Sequence, residues 1–254
     1  MTLRRSVLLI AIAIVSNVLI TGGAGFIGGT LAAYLEHRGF DVTRFDITLG
    51  DSGLPDLLGQ DIVIHLGANS STTETDLKKI LEENFEYSKK LYEMCALYEV
   101  KFQYASSASV YGAAKSFKED DFCTPLSPYA SPVSKFIKQA QEGEITLFEK
   151  SRKYKRDFVC VDDVCEMHLR MLSHDVSGIF NVGTAHPISF RDVADIVKQN
   201  AYCLIKETPM PQNLKGQYQK FTKADNSKLL EVVGEYEWKT VEKYVEENLD
   251  VFPN

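Results

Sequence analysis

One short stretch constrains the fold more than any other. Thr21-Gly-Gly-Ala-Gly-Phe-Ile-Gly28 follows the apolar run Val18-Leu-Ile20 and opens a helical pattern, Phe26 to Arg38, with Gly39 as its stop. A strand, a glycine turn and a helix in this order give one half of a βαβ unit. Gly22 allows the tight turn, Gly25 lets backbone amides approach a pyrophosphate at the positive end of the helix, and Gly28 permits close helix–strand packing. Asp46 lies eighteen residues beyond Gly28, after Val42 to Phe45, which reads as a second strand. An acid there is placed to meet a ribose hydroxyl. Gly22, Gly25, Gly28 and Asp46, with Phe26 and Ile27 through their backbone, are therefore expected to bind a dinucleotide.

The pattern then repeats. Ile62-Val-Ile64 is apolar enough to be a strand buried on both faces. Asp76 to Leu97 reads as one long amphipathic helix and Phe102 to Ala105 as a fourth strand. Alternating strands and helices with short links predict an α/β fold, a doubly wound parallel sheet of Rossmann type with a small C-terminal α/β domain. Beyond Lys135 the alternation changes. A helix at about Val133 to Gln141 leads into Gly143 to Phe148, and Val161 to Leu172 reads as a helix. Gly178 to Val182 reads as a strand and Ile205 to Pro211 as extended chain. Further helices fall near 189–200, 223–232 and 239–248. We expect a dinucleotide domain over residues 1–140 and about 159–185, and a substrate domain over 141–158 and 186–254.

The formal charge of −7 argues against a nucleic-acid partner, which needs a basic patch. It leaves room for an anionic small molecule held by a few local cations. Five cysteines without a C-x-x-C pair, and five histidines without ligand spacing, predict neither a disulfide framework nor a metal site. A cytoplasmic setting follows. Arg4 and Arg5 before the apolar Val7 to Val15 have the look of an export signal. An upstream extension or a misplaced start before the first strand is the favoured reading, and a membrane span is not expected. His65, ending a buried strand, reads as structural.

Together with Ser70-Ser-Thr-Thr-Glu74, Tyr104-Ala-Ser-Ser-Ala108 and Asn213-Leu-Lys-Gly-Gln-Tyr218 through Asp225, the glycine turn resembles the ADP-L-glycero-D-manno-heptose 6-epimerase family. That family is a branch of the extended short-chain dehydrogenase/reductases. The resemblance implies inversion at C6″ of ADP-D-glycero-β-D-manno-heptose through a transient ketone, in lipopolysaccharide-core precursor synthesis. It implies bound NADP, with NAD possible, and a homo-oligomer, a pentamer in the family. Ile47, Leu66, Gly67, Ala68, Asn69, Ser70 and Asn84 (or its neighbour Glu83) would line the cofactor. Ser70, Ser71, Ser107, Phe148, Glu149, Lys150, Ser151, Arg156 and Tyr218 would hold the nucleotide sugar.

The same resemblance names Ser107, Tyr129 and Lys135 as catalytic, with Lys135 also on the cofactor. Here the chain departs from the pattern. Tyr129-Ala-Ser-Pro-Val-Ser-Lys135 has two residues too many for Tyr-x-x-x-Lys. Residues six apart on a helix point roughly 240° away from each other. If Ser131 caps a helix that starts at Pro132, Tyr129 sits in the preceding loop and can swing inward. Otherwise it is displaced and inactive. The chain is also short after Asp46 and after Lys135, where the family has a further strand and a second catalytic lysine. Two other readings therefore stand beside the epimerase. One is a non-catalytic member that only binds its ligands; the other is a different nucleotide-sugar epimerase, dehydratase or reductase.

Overall fold

The computed structural model describes residues 17–70, 76–111, 117–120, 133–212 and 218–249. The first unit gathers residues 1–106 and 165–175, and the second 107–164 and 176–254. No helix among the described residues is long and apolar enough to cross a membrane.

The first unit is built on four parallel strands, β1 (Asn17–Thr21), β2 (Asp41–Phe45), β3 (Ile62–His65) and β4 (Lys101–Tyr104). Their spatial order is β2-β1-β3-β4. From β1 the chain steps outward to β2 and then returns across β1 to β3. That reversal is a topological switch point, where open α/β sheets form a crevice beyond the strand ends. The loops after β1 and after β3 both open there. Val18, Leu19 and Ile20 on β1 and Ile62, Val63 and Ile64 on β3 are all buried. Strands covered on both faces need this continuous apolar run.

Helix α1 (Phe26–Glu36) buries Gly28, Leu31, Ala32 and Leu35. It stops at Gly39, whose φ of +87° favours glycine. There Gly39 N–H donates to Glu36 O and Phe40 N–H to Leu35 O, closing the last turn. The expected helix from Asp76 to Leu97 is continuous in extent but not in type. It runs as α2 (Leu77–Ile80), a π-helical stretch Leu81–Glu86, and α3 (Tyr87–Leu97). Asp76 caps it by accepting from Lys78 N–H and Lys79 N–H.

The second unit contains α4 (Val133–Gln141), β5 (Glu144–Phe148), β6 (Lys155–Arg156), β7 (Ile188–Ser189), α6 (Phe190–Asn200), β8 (Leu204–Thr208), α7 (Ser227–Val233) and α8 (Val241–Asn248). Between β6 and β7 lies α5 (Val161–Leu172), whose chain passes from the second unit into the first. β5 pairs with β8 in parallel, and β6 with β7 antiparallel. Ile137, Ile145, Val193, Ala194, Val197 and Val245 form the centre of one apolar cluster.

The expected strand over Gly178 to Val182 does not form. Its polar groups are spoken for by side chains and loops instead of a ladder. Asn181 N–H donates to Glu119 Oε1 and Asn181 Nδ2 donates to Phe117 O and Asp225 O. Ile179 O accepts from Lys228 Nζ. The segment is apolar enough for a strand, but among the described residues no neighbouring strand pairs with it.

Candidate dinucleotide and anion sites

The glycine turn packs on itself and on the loop after β3. A Cβ at Gly28 would lie 2.1 Å from Gly22 O, and one at Gly22 would lie 2.6 Å from Gly67 N. Gly22 also has a φ of +70°. Both positions therefore exclude a side chain on steric grounds. Gly25 has no side chain to cap α1, and no acid sits in the first turn. Ala24 to Ile27 are exposed. The open N-terminal amides and the positive end of the helix thus face outward with no carboxylate of the first turn competing. These features fit a pyrophosphate.

Asp46 caps the short 3₁₀ turn Ile47–Leu49. Its Oδ1 accepts from Thr48 N–H at 2.9 Å and Thr48 Oγ1 at 2.8 Å, and its Oδ2 from Ala24 N–H at 3.2 Å. The Thr48 amide, above all, holds its carboxyl below the usual carboxylate range. The end of β2 is thereby tied to the glycine turn. Ile47 is exposed beside it.

Leu66, Gly67, Ala68, Asn69 and Ser70 form the loop after β3, with Ala68 and Ser70 exposed. Asn84 settles this loop through two bonds to one residue. Asn69 N–H donates to Asn84 Oδ1 at 2.6 Å, and Asn84 Nδ2 donates to Asn69 O at 3.0 Å. Glu83 accepts from Asn69 Nδ2 at 2.8 Å. Both neighbours named from the sequence therefore reach the loop, each from the π stretch. Ser71 lies outside the described residues.

Behind this loop stands a relay that sequence reading did not find. His65 is 1% exposed. Its Nδ1 meets Thr21 Oγ1 at 2.5 Å and its Nε2 meets Ser88 Oγ at 2.7 Å. Ser88 donates its single proton to Asn84 O at 2.6 Å. The Nε2 of His65 must then be the donor to Ser88, and Nδ1 the acceptor from Thr21. Gly67 N–H in turn donates to Thr21 Oγ1. This pattern requires a neutral imidazole, and burial pushes its pKa down to about 4. The register already aligns Thr21 with His65. Two polar residues ending adjacent buried strands were the available signal.

In the second unit, Arg156 on β6 is the notable charge. Its Nη1 donates to Lys155 O at 2.9 Å and its Nη2 to Gln219 O. The guanidinium carbon stands 5.4 Å from the Phe190 ring centroid and 5.5 Å from that of Tyr218. Among the described residues no carboxylate forms an ion pair with it. Burial works against its charge. The group is half-buried, and its planar fork suits an incoming anion. Tyr218 lies against Tyr154, Phe148 and Phe190. Burial, the largest influence, raises its phenol pKa. The structure thus brings Phe148, Arg156 and Tyr218 into one aromatic cluster, and adds Tyr154 and Phe190, which the sequence did not single out.

The other expected sugar contacts are near in sequence but differ in setting. Glu149 and Lys150 are exposed. Lys150 takes φ +65°, the left-handed conformation that favours the glycine of the resembling family. Ser151 is buried, and its Oγ has no hydrogen-bond partner among the described residues. Ser107 is exposed, and its carbonyl accepts from Val110 N–H. Lys135 stands in the first turn of α4. Tyr129 lies outside the described residues.

Residues 18–132 and 131–183 match the model of the NAD dependent epimerase/dehydratase family. Among solved structures, the chain is similar to Helicobacter pylori ADP-L-glycero-D-manno-heptose-6-epimerase. The TM-score is 0.79 at 21% identity, over 93% of this chain and 96% of that one. It is similar to the complex of Thermus thermophilus UDP-glucose 4-epimerase with NAD, at TM-score 0.74 and 22% identity, over 92% and 98%. A third likeness is to the NAD dependent NDP-hexosamine 5,6-dehydratase TunA of tunicamycin biosynthesis. Its TM-score is 0.77 at 22% identity, over 92% and 97%. At these identities the neighbours establish the fold and leave the reaction open.

Proposed function

The chain belongs to the NAD dependent epimerase/dehydratase family, and from that premise we propose that it is a nucleotide-sugar epimerase acting at C6″ of ADP-D-glycero-β-D-manno-heptose. Arg156 carries the reading: a half-buried guanidinium beside two aromatic rings, without a carboxylate partner among the described residues, suits a diphosphate. The heptose specificity rests on the segment from Asn213 to Asp225, which ends the sugar side of the resembling family.

When bound, a nicotinamide dinucleotide supplies a place for hydride to leave the sugar and return. The chain's own residues do the rest. Gly22, Gly25, Phe26, Ile27 and Gly28 hold the pyrophosphate, Asp46 and Ile47 the adenosine ribose, and Leu66 to Ser70 the remaining length, steadied by Asn84. Arg156, Tyr218, Phe148 and the 149–151 turn hold the nucleotide sugar. Ser107, Tyr129 and Lys135 are assigned the proton at the sugar oxygen. The resulting ketone is reduced on its opposite face, so net redox is zero. A homo-oligomer, a cytoplasmic setting and a place in lipopolysaccharide-core synthesis belong to the same proposal.

One observation favours a second reading, binding without turnover. Tyr129 and Lys135 are six apart, and among the described residues the sheet ends at β4. Proton NMR of the protein with ADP-D-glycero-β-D-manno-heptose and a nicotinamide dinucleotide separates the two. Appearance of L-glycero signals is the expected result. Saturable binding with no conversion would leave only the second reading, and neither would remove both.

A further inference from the structure

We infer that His65 is a positioning residue: through Thr21 on one side and Ser88 on the other, it joins both ends of the loop after β3 into one directional hydrogen-bond circuit that fixes the backbone of Gly67 and Asn69 at the crevice. This rests on the dinucleotide part of the proposed function. It adds a group too deeply buried to touch the ligand.

The circuit lies within the first unit and starts and finishes on the same loop. Gly67 N–H donates to Thr21 Oγ1 at 3.4 Å. Thr21 Oγ1–H donates to His65 Nδ1, and His65 Nε2–H donates to Ser88 Oγ. Ser88 donates to Asn84 O. The Asn84 side chain then closes on Asn69 through both its amide and its carbonyl. Every link from Gly67 to Asn84 donates in the same sense, and bonds in such a chain polarise one another. One state of the histidine permits it, neutral with the proton on Nε2. A proton on Nδ1 would face the proton of Thr21. It would leave a bare Nε2 against Ser88, whose only proton is committed to Asn84.

The surroundings hold that state. Tyr87 from α3 and Phe102 and Tyr104 from β4 pack on the imidazole, with ring centroids 5.8, 6.1 and 5.8 Å away. The two phenols are the titratable groups facing it, and among the described residues no carboxylate bonds to it to favour the charged form. Holding the sheet together does not call for such a chain. β1 and β3 already pair through their backbones, and Leu66 N–H donates to Thr21 O at 3.1 Å. An apolar side chain at position 65 would fill the space without the cost of desolvating polar groups. The polar groups gather instead where the strands open on the crevice, directly before Gly22 and Leu66.

Ser88 is the place to cut the circuit, because it belongs to neither ligand set. The cofactor-free protein is titrated by calorimetry with NAD and with NADP, and the tighter of the two is then used for the variants. Ser88→Ala should weaken its binding about fivefold and shift the amide NMR signals of Gly67 and Asn69 together. Ser88→Thr keeps the hydroxyl and should restore both. Thermal melts confirm that each variant is folded at the titration temperature. In the wild-type protein the ring nitrogen signals of His65 should report the Nε2–H tautomer at neutral pH. Unchanged affinity in folded Ser88→Ala would overturn the inference, make His65 purely structural and leave the dinucleotide reading intact. An Nδ1–H tautomer or an imidazolium in the wild type would overturn it as well, with no variant needed. If the wild type binds neither dinucleotide, the dinucleotide reading falls and this inference with it.

Discussion

At the residue scale, Lys150 shows how a sequence departure becomes intelligible in three dimensions. From sequence it is a lysine where a glycine is expected, and crowding is the obvious worry. The structure shows that backbone conformation is the issue, since φ is +65°. An L-residue there pays a conformational cost of roughly 1–2 kcal/mol, partly offset because glycine loses more freedom on folding. Lys150→Gly should therefore stabilise the protein by about 0.5 kcal/mol, read as a higher urea midpoint at unchanged slope. Arg156 teaches the converse. Its position in a Lys-Tyr-Lys-Arg run suggests a surface charge as readily as a ligand group. The packing of Phe190 and Tyr218 beside it is what sets it apart from a plain surface charge and supports the proposed ligand role.

At the element scale, the long helix after β3 was legible as amphipathic, but its π stretch was not. Periodicity reports which face is apolar and is insensitive to one extra residue in a turn. That stretch presents both Glu83 and Asn84 to Asn69. Asn84→Ala should weaken dinucleotide affinity about tenfold while costing about 1 kcal/mol of stability, because it frees the Asn69 backbone at the crevice. Calorimetry and a denaturant melt together check the split. A large stability loss with unchanged affinity would make the clamp purely structural. The failed strand at Gly178 to Val182 belongs to the same scale. Whether a short apolar segment becomes a strand depends on a neighbouring edge, which no local pattern encodes.

At the scale of the whole molecule, acid should act unevenly. His65 and His168, both in the first unit, have pKa values pushed down to about 4 by burial. His168 Nδ1 is held by Gln103 Oε1 at 2.8 Å. Between pH 6.5 and 4 the unfolded chain binds more protons at these groups than the folded one. Their contribution to stability is complete above pH 6.5 and is lost as pH falls through 4. Hydrogen exchange should show protection in β1 and β3 falling over that range before protection in α6 and β5. Uniform loss would refute the assignment. Sequence alone determined the parallel sheet, the glycine turn and Asp46, because short-range order and close packing demand particular residue types at fixed spacing. Tertiary structure alone decided that Thr21, His65 and Ser88 form a relay, that Asn84 grips Asn69, and that Arg156 lies beside the Phe190 and Tyr218 rings. Each of those depends on partners far apart in the chain, brought together by strand register and helix packing, and no spacing along the sequence records such a meeting.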